Sequence, residues 1–107
     1  MMNSQFLLPY KLGNRAAKQL IKIRKSDRTL FDKIQELITA IRIDPSIGEA
    51  KKGDLKGYRC IDIMHLKTNY ELCYTLEEDD NGELILIIMM GPRETFCEEL
   101  KRYLKSK

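Results

Sequence analysis

The chain has 107 residues, of which 43% are hydrophobic and 33% charged, a composition typical of one globular domain covering residues 1–107. Its longest apolar run, residues 84–91, is too short for a membrane span of about 20 residues, and Met1–Gln5 lacks the basic start of a secretory signal. The three cysteines form no close pair and there is one histidine, so we expect a cytoplasmic chain with free thiols, no metal and no cofactor.

The net charge of +3 is unevenly distributed along the chain. Residues 1–70 carry 14 lysines and arginines against 7 acids, whereas residues 71–107 carry 5 against 9. Most of the later acids fall between residues 77 and 83, where a hairpin tip is predicted. A basic body attracts polyanions such as nucleic acid. Lysines that only solvate helix faces explain the charge equally well.

Residues before Pro45 have the period of amphipathic helices. Phe6–Leu8 is predicted to form a short edge strand. A first helix is expected after it, with Asn14 as the candidate N-cap. A second helix is capped by Ser26 or Asp27 and ends before Pro45, because the residue preceding a proline avoids helical backbone angles. Its apolar residues form one helical stripe: Leu30, Phe31, Ile34, Leu37, Ile38 and Ile41.

After Pro45 the period becomes two, which predicts strands at Tyr58–His65, Tyr70–Leu76 and Glu83–Met90. Asn81-Gly82 predicts a tight hairpin turn before the last strand. A final helix after Pro92 has one apolar face: Phe96, Leu100, Tyr103 and Leu104. The predicted fold is α+β in the order β-α-α-β-β-β-α, a helical hairpin packed on a small antiparallel sheet with a C-terminal helix.

Candidate functional residues are mostly basic. A cluster leads into the first long strand: Lys51, Lys52, Lys56 and Arg59. Arg93 follows the last strand, and in an antiparallel sheet the two regions are expected to meet, where they would contact phosphates. His65 is either a surface polar residue or a base or phosphate contact. Cys60 and Cys73 lie in predicted strands and are expected in the core.

Three runs of the chain together resemble the RelE/ParE superfamily of toxins from type II toxin–antitoxin systems. They are "DPSIGEAKKGDLKGYRCIDI", "NYELCYTL" and "GELILIIMMGPRETFCEELKRYL". The resemblance implies a metal-independent endoribonuclease that cuts messenger RNA on the ribosome, by attack of the ribose 2′-OH on the adjacent phosphate. It matches Arg59 and Arg93 to cations of the relatives' catalytic site. The candidate catalytic residues are therefore Arg59, Arg93, Cys97 and His65, and the candidate RNA-binding residues are Lys51, Lys52 and Lys56. The implied partners are a short acidic antitoxin, the ribosome and messenger RNA, with no membrane.

Two departures from the family pattern keep other functions open. Glu71 stands where relatives carry a strand arginine, and Cys97 stands where they carry a tyrosine. One alternative is therefore a ParE-like inhibitor of DNA gyrase. The other is a catalytically weakened toxin that mainly binds its antitoxin.

Overall fold

The computed structural model describes residues 6–106. The prediction that Met1–Gln5 is not the start of a secretory signal lies outside the described residues. The helices are α1 Asn14–Ser26, α2 Arg28–Ile43 and α3 Arg93–Lys105. The strands are β1 Tyr10–Leu12, β2 Glu49–Ala50, β3 Tyr58–His65, β4 Thr68–Asp79 and β5 Gly82–Pro92. The predicted α+β class and element order are confirmed, and the two-residue strand β2 is an addition.

The helical hairpin forms because α2 has both a cap and an apolar stripe. The Asp27 carboxylate accepts a hydrogen bond from the Leu30 N–H at 3.1 Å, as expected for an N-cap. The stripe is buried at Leu30, Ile34, Ile38 and Ile41. In α1 the predicted cap was wrong by one position, since Gly13 precedes the helix and Asn14 is its first residue.

The five strands are ordered β1-β5-β4-β3-β2, and β1 pairs with β5 in parallel. The sheet is therefore mixed, not wholly antiparallel as predicted. The expected edge strand at Phe6–Leu8 lies instead at residues 10–12. Pro9 has no N–H to give to a ladder, and its carbonyl accepts from the Ile85 N–H where the pairing begins.

The sheet has two covered faces, each with its own core. The α1–α2 hairpin covers one, here called the hairpin face, where Ile63, Leu72, Ile85 and Ile87 are buried. Helix α3 covers the other, the α3 face, through Phe96 and Leu100, with the expected core residues Cys60 and Cys73 beneath them. A bulge between Cys73 and Tyr74 leaves an extra residue on β5, so Ile88 and Met89 both pack toward α3.

The hairpin between β4 and β5 turns one residue earlier than the sequence places it. Asp79 pairs with Gly82, so the turn residues are Asp80 and Asn81, and Gly82 follows with a φ of 113°. The glycine is needed after the turn, where a positive φ favours it. His65 pairs with Thr68 across a turn at residues 66–67. No helix in the described part of the chain is long and apolar enough to cross a membrane.

Candidate active site

A cleft opens on the α3 face between β3, β4 and the start of α3. It has two connected halves of about 210 and 220 Å³, and four residues line both: Lys51, Cys60, Glu71 and Arg93. Glu49 and Asp62 line the first half, and Phe96 and Cys97 line the second. This cleft, called the charged cleft below, combines two cations with three carboxylates.

Two of those carboxylates lie side by side on neighbouring strands. Asp62 on β3 is directly opposite Glu71 on β4. Like charges at directly opposite positions repel each other, and cations offset the repulsion here. Arg93 Nη1 lies 3.3 Å from Asp62 Oδ2, and Lys51 Nζ lies 3.9 Å from Glu71 Oε2.

Glu71 is a largely buried carboxylate. Its side chain is only 13% exposed, and this burial is the main cause that raises its pKa above the ordinary glutamate value. Lys51 opposes the rise, Asp62 adds to it and Arg93 opposes it. A carboxylate with a raised pKa accepts a proton more readily than an ordinary glutamate, which suits a general base.

Lys51 is held in its charged form. Burial acts to lower its pKa, but the hydrogen bond from Lys51 Nζ to Glu49 Oε1 at 3.3 Å and the nearby Glu71 raise it overall. Arg93 is the first residue of α3 and its side chain is 60% exposed. Lys51 is thus charged, and the Arg93 guanidinium is open to solvent, so the cleft offers positive charge to an incoming anion.

The sequence-predicted residues divide between this cleft and other places. Lys51, Arg93 and Cys97 line it. Lys52 and Lys56 are exposed between β2 and β3, outside the lining. Of the three lysines expected to lie near Arg93, only Lys51 lines the same cleft.

Arg59 lies on the hairpin face, one position along β3 from Cys60. Its Nη1 donates to the Gly48 carbonyl at 2.7 Å and to the Ser46 carbonyl at 3.4 Å. The expected meeting of Arg59 with Arg93 was wrong, because successive residues of a strand point to opposite faces. Arg59 instead holds the segment that follows α2.

His65 is also engaged by the fold. It is 4% exposed, and its Nε2 lies 2.8 Å from the Asp27 carboxylate that caps α2. The Leu30 N–H and then His65 hold the pKa of Asp27 below its ordinary value. This buried position, on the opposite face from Arg93, does not fit the catalytic role expected for His65 or its alternative as a surface residue.

The residue missed by sequence reasoning is Glu71, which was interpreted only as the loss of a family arginine. Asp62 and Glu49 were not considered. The available signal was charge at inward-facing strand positions, two residues from Cys60 and Cys73. Among residues 6–106, no group of three or more histidines, cysteines or acids is arranged to hold a metal ion.

Three solved structures that are similar in fold carry the names of bacterial toxins or of a toxin–antitoxin complex. The chain is similar to the YoeB/ParE toxin from Agrobacterium tumefaciens, with a TM-score of 0.67 and 18% identity over 80% of this chain and 99% of that one. It is also similar to a mutant of the Escherichia coli toxin RelE in the free state, with a TM-score of 0.62 and 20% identity over 90% of this chain and 97% of that one. A chain of the RelBE2 toxin–antitoxin complex from Mycobacterium tuberculosis has a TM-score of 0.60 and 18% identity over 81% of this chain and 99% of that one. The fold is therefore RelE/ParE-like.

The sequence itself matches a family as well. The model of the ParE-like toxins of type II bacterial toxin–antitoxin systems matches residues 7–101, whereas no curated protein matches significantly by sequence. The chain belongs to this toxin family, which confirms the resemblance found from the three sequence runs. A toxin of such a system has an antitoxin as its partner.

Proposed function

We propose that this toxin is a ribosome-dependent endoribonuclease that cleaves messenger RNA in the charged cleft. The observation that carries the proposal is the Glu71 carboxylate, desolvated and flanked by Lys51 and Arg93. Attack of a ribose 2′-OH on its own phosphate needs a base for the hydroxyl proton and positive charge around the phosphate. These three side chains supply both.

In the proposed reaction Glu71 takes the proton from the 2′-OH as that oxygen bonds to phosphorus. Arg93 and Lys51 neutralise the negative charge that develops on the phosphate oxygens. Arg93 reaches the phosphate by exchanging its exposed ion pair with Asp62, a contact of low cost to break. The bond to the 5′-oxygen then breaks, and water protonates that oxygen, since the raised pKa of Lys51 makes it a poor acid.

Dependence on the ribosome follows from the charge of the cleft. Three carboxylates against two cations make it a weak binder of free RNA. A ribosome that positions the message supplies the orientation, which is worth roughly 7–11 kcal/mol in favourable cases. Helix α1 offers a contact surface, because Asn14–Ser26 contains five lysines and arginines and no acid. The exposed Lys52 and Lys56 extend the proposed RNA-binding surface, and the proposed place of action is the cytoplasm.

A cell-free translation reaction with one defined message tests the proposal. We expect cuts inside the translated region after adding the purified toxin, and intact message when ribosomes are omitted. Addition of the cognate antitoxin, proposed to be short and acidic, is expected to prevent the cuts. Intact message in the presence of active translation would refute the proposal.

A second candidate is inhibition of DNA gyrase, as in the ParE branch. The surplus of carboxylates in the cleft and the structural use of Arg59 and His65 favour it, because both reduce the residues available for RNA cleavage. A supercoiling assay with purified gyrase separates the two candidates. Inhibition of gyrase with uncut message supports the second, whereas cut message with active gyrase supports the first.

A further inference from the structure

All three cysteines of the chain lie on the α3 face. Cys60 and Cys73 are buried, and Cys97 is exposed. Cys60 on β3 is directly opposite Cys73 on β4, and both side chains pack in the same core cluster. Cys60 also lines both halves of the charged cleft. The proposed RNA chemistry uses neither thiol of this pair.

The strand register gives Cys60 and Cys73 a backbone arrangement compatible with a disulfide. Directly opposite residues of antiparallel strands have Cα atoms about 4.5–5.5 Å apart, inside the range of about 4.4–6.8 Å found for disulfides. Leu55 and Phe96 pack in the same core cluster and hold both side chains in place. Joining the two sulfurs therefore requires no separation of β3 from β4.

The two thiols are not equivalent. The hydrogen bond from Cys73 lowers the pKa of Cys60, with a smaller contribution from Lys51. The same contact and burial raise the pKa of Cys73. Cys60 therefore ionises first, and it is the thiol that faces the cleft. Because Cys60 is only 3% exposed, a small oxidant fits this access better than a large one.

We propose that Cys60 and Cys73 form a redox modification site, at which hydrogen peroxide converts the two thiols into a disulfide joining β3 to β4. The Cys60 thiolate attacks one peroxide oxygen, the O–O bond breaks, and Cys60 sulfenic acid and hydroxide result. The Cys73 sulfur then attacks the Cys60 sulfur and the hydroxyl leaves as water. In total, two thiols and one peroxide give one disulfide and two waters.

The bond changes the floor of the charged cleft. Cys60 and Asp62 are two residues apart on β3, and Glu71 and Cys73 are two residues apart on β4, so all four side chains lie on one face. A disulfide between the strands fixes the spacing of the two carboxylates. This inference does not depend on RNA cleavage, because it rests on the strand register and on the packing of both cysteines in one core cluster.

Peptide mapping of the whole folded chain tests the proposal. Trypsin places the cysteines in separate peptides, residues 60–67, 68–93 and 94–101. After peroxide treatment and alkylation of remaining thiols, we expect one alkylated cysteine, Cys97, and a cross-link between peptides 60–67 and 68–93 that a dithiol reductant removes. The exposed-site variant Cys97→Ser is expected to give the same cross-link.

Peroxide treatment of the chain unfolded in concentrated urea is the matched control. Because the strands are no longer paired, we expect the preference for the Cys60–Cys73 disulfide to disappear. Linkage of Cys60 to Cys97 in the folded chain would overturn the proposal. So would sulfinic or sulfonic acid at Cys60 with no cross-link, or three thiols that stay unmodified while a free thiol peptide in the same solution is oxidised.

Discussion

The two faces of the sheet differ in how completely helices cover them. The hairpin face lies under two helices, α1 and α2, and aliphatic and aromatic side chains form the core between them and the sheet. The α3 face lies under a single helix of 13 residues, and the uncovered part holds Lys51, Asp62, Glu71 and Arg93. A sheet face that helices cover completely is used for hydrophobic packing. A face that is covered only in part has strand positions where charged side chains lie close together.

Polar residues on the hairpin face also have structural roles. Arg59 donates to two main-chain carbonyls, and His65 pairs with the cap of α2. Tyr74 is fully buried and its hydroxyl donates to the Pro45 carbonyl at 2.6 Å and accepts from the Gly48 N–H. A Cβ at Gly48 would lie 2.7 Å from that hydroxyl, so glycine is required there. On this face, polar groups fix the chain that enters and leaves α2.

The largest predicted effect is on the α3 face, at Glu71. Glu71→Gln keeps the shape of the side chain but removes the base, so we expect message cleavage to fall by about 10²–10⁴-fold. Glu78→Gln, on the exposed end of the same strand, is the control and should cleave at the wild-type rate. Rates are measured by primer extension in the translation reaction. Full activity of Glu71→Gln would remove Glu71 from the mechanism.

The second effect concerns the cation beside Glu71. Lys51→Ala removes one of two groups proposed to neutralise the phosphate, and we expect a loss of about 10²-fold in cleavage rate. Lys105→Ala, exposed at the far end of α3, is the matched control. If both variants lose activity equally, the positive charge of the whole surface matters and the position of Lys51 does not.

On the hairpin face the predicted effect is on stability. His65→Ala removes a buried imidazole and its hydrogen bond with the Asp27 carboxylate, so we expect a loss of about 1.5–3 kcal/mol in the free energy of unfolding. Met64→Ala changes the neighbouring exposed residue and should stay within about 0.5 kcal/mol of wild type. Urea denaturation gives both values. A cleavage rate per folded molecule that falls in His65→Ala would contradict the division between the two faces.

The smallest effect is a pH dependence caused by Glu71. The folded chain holds the proton of Glu71 more tightly than the unfolded chain, because burial raises its pKa. Folded stability is therefore lost as pH rises from the ordinary glutamate pKa through the raised one. Glu71→Gln should be more stable than wild type at neutral pH and lose this advantage in acid, while Glu78→Gln should follow wild type. Denaturation at a series of pH values measures the difference.

Sequence patterns predicted the fold well because the buried stripes are continuous. The stripe of α2 and the alternation of Tyr58–His65 specify their elements directly, and Asp27 was one of the two residues predicted to cap α2. The bulge at Cys73 and the parallel pairing of β1 depend on contacts far apart in the sequence, which no local pattern contains.

The site was harder to predict because residue type does not reveal which face a strand residue occupies. Arg59 and Arg93 look equivalent as exposed cations near strand ends, yet the pleat separates them. In the sequence, Glu71 was interpreted only as the replacement of a family arginine, yet it lines both halves of the charged cleft. The register of β3 against β4, which opposes Asp62 to Glu71, is the information that was missing.

The central claim, that function resides on the α3 face and structure on the hairpin face, is tested most directly by comparing Arg59→Ala with Arg93→Ala. For each variant, message cleavage per folded molecule and the free energy of unfolding are measured together. We expect Arg93→Ala to lose about 10²–10³-fold in cleavage with stability within about 0.5 kcal/mol of wild type. We expect Arg59→Ala to lose about 1.5–3 kcal/mol of stability and keep its cleavage rate. The reverse pattern would contradict the account.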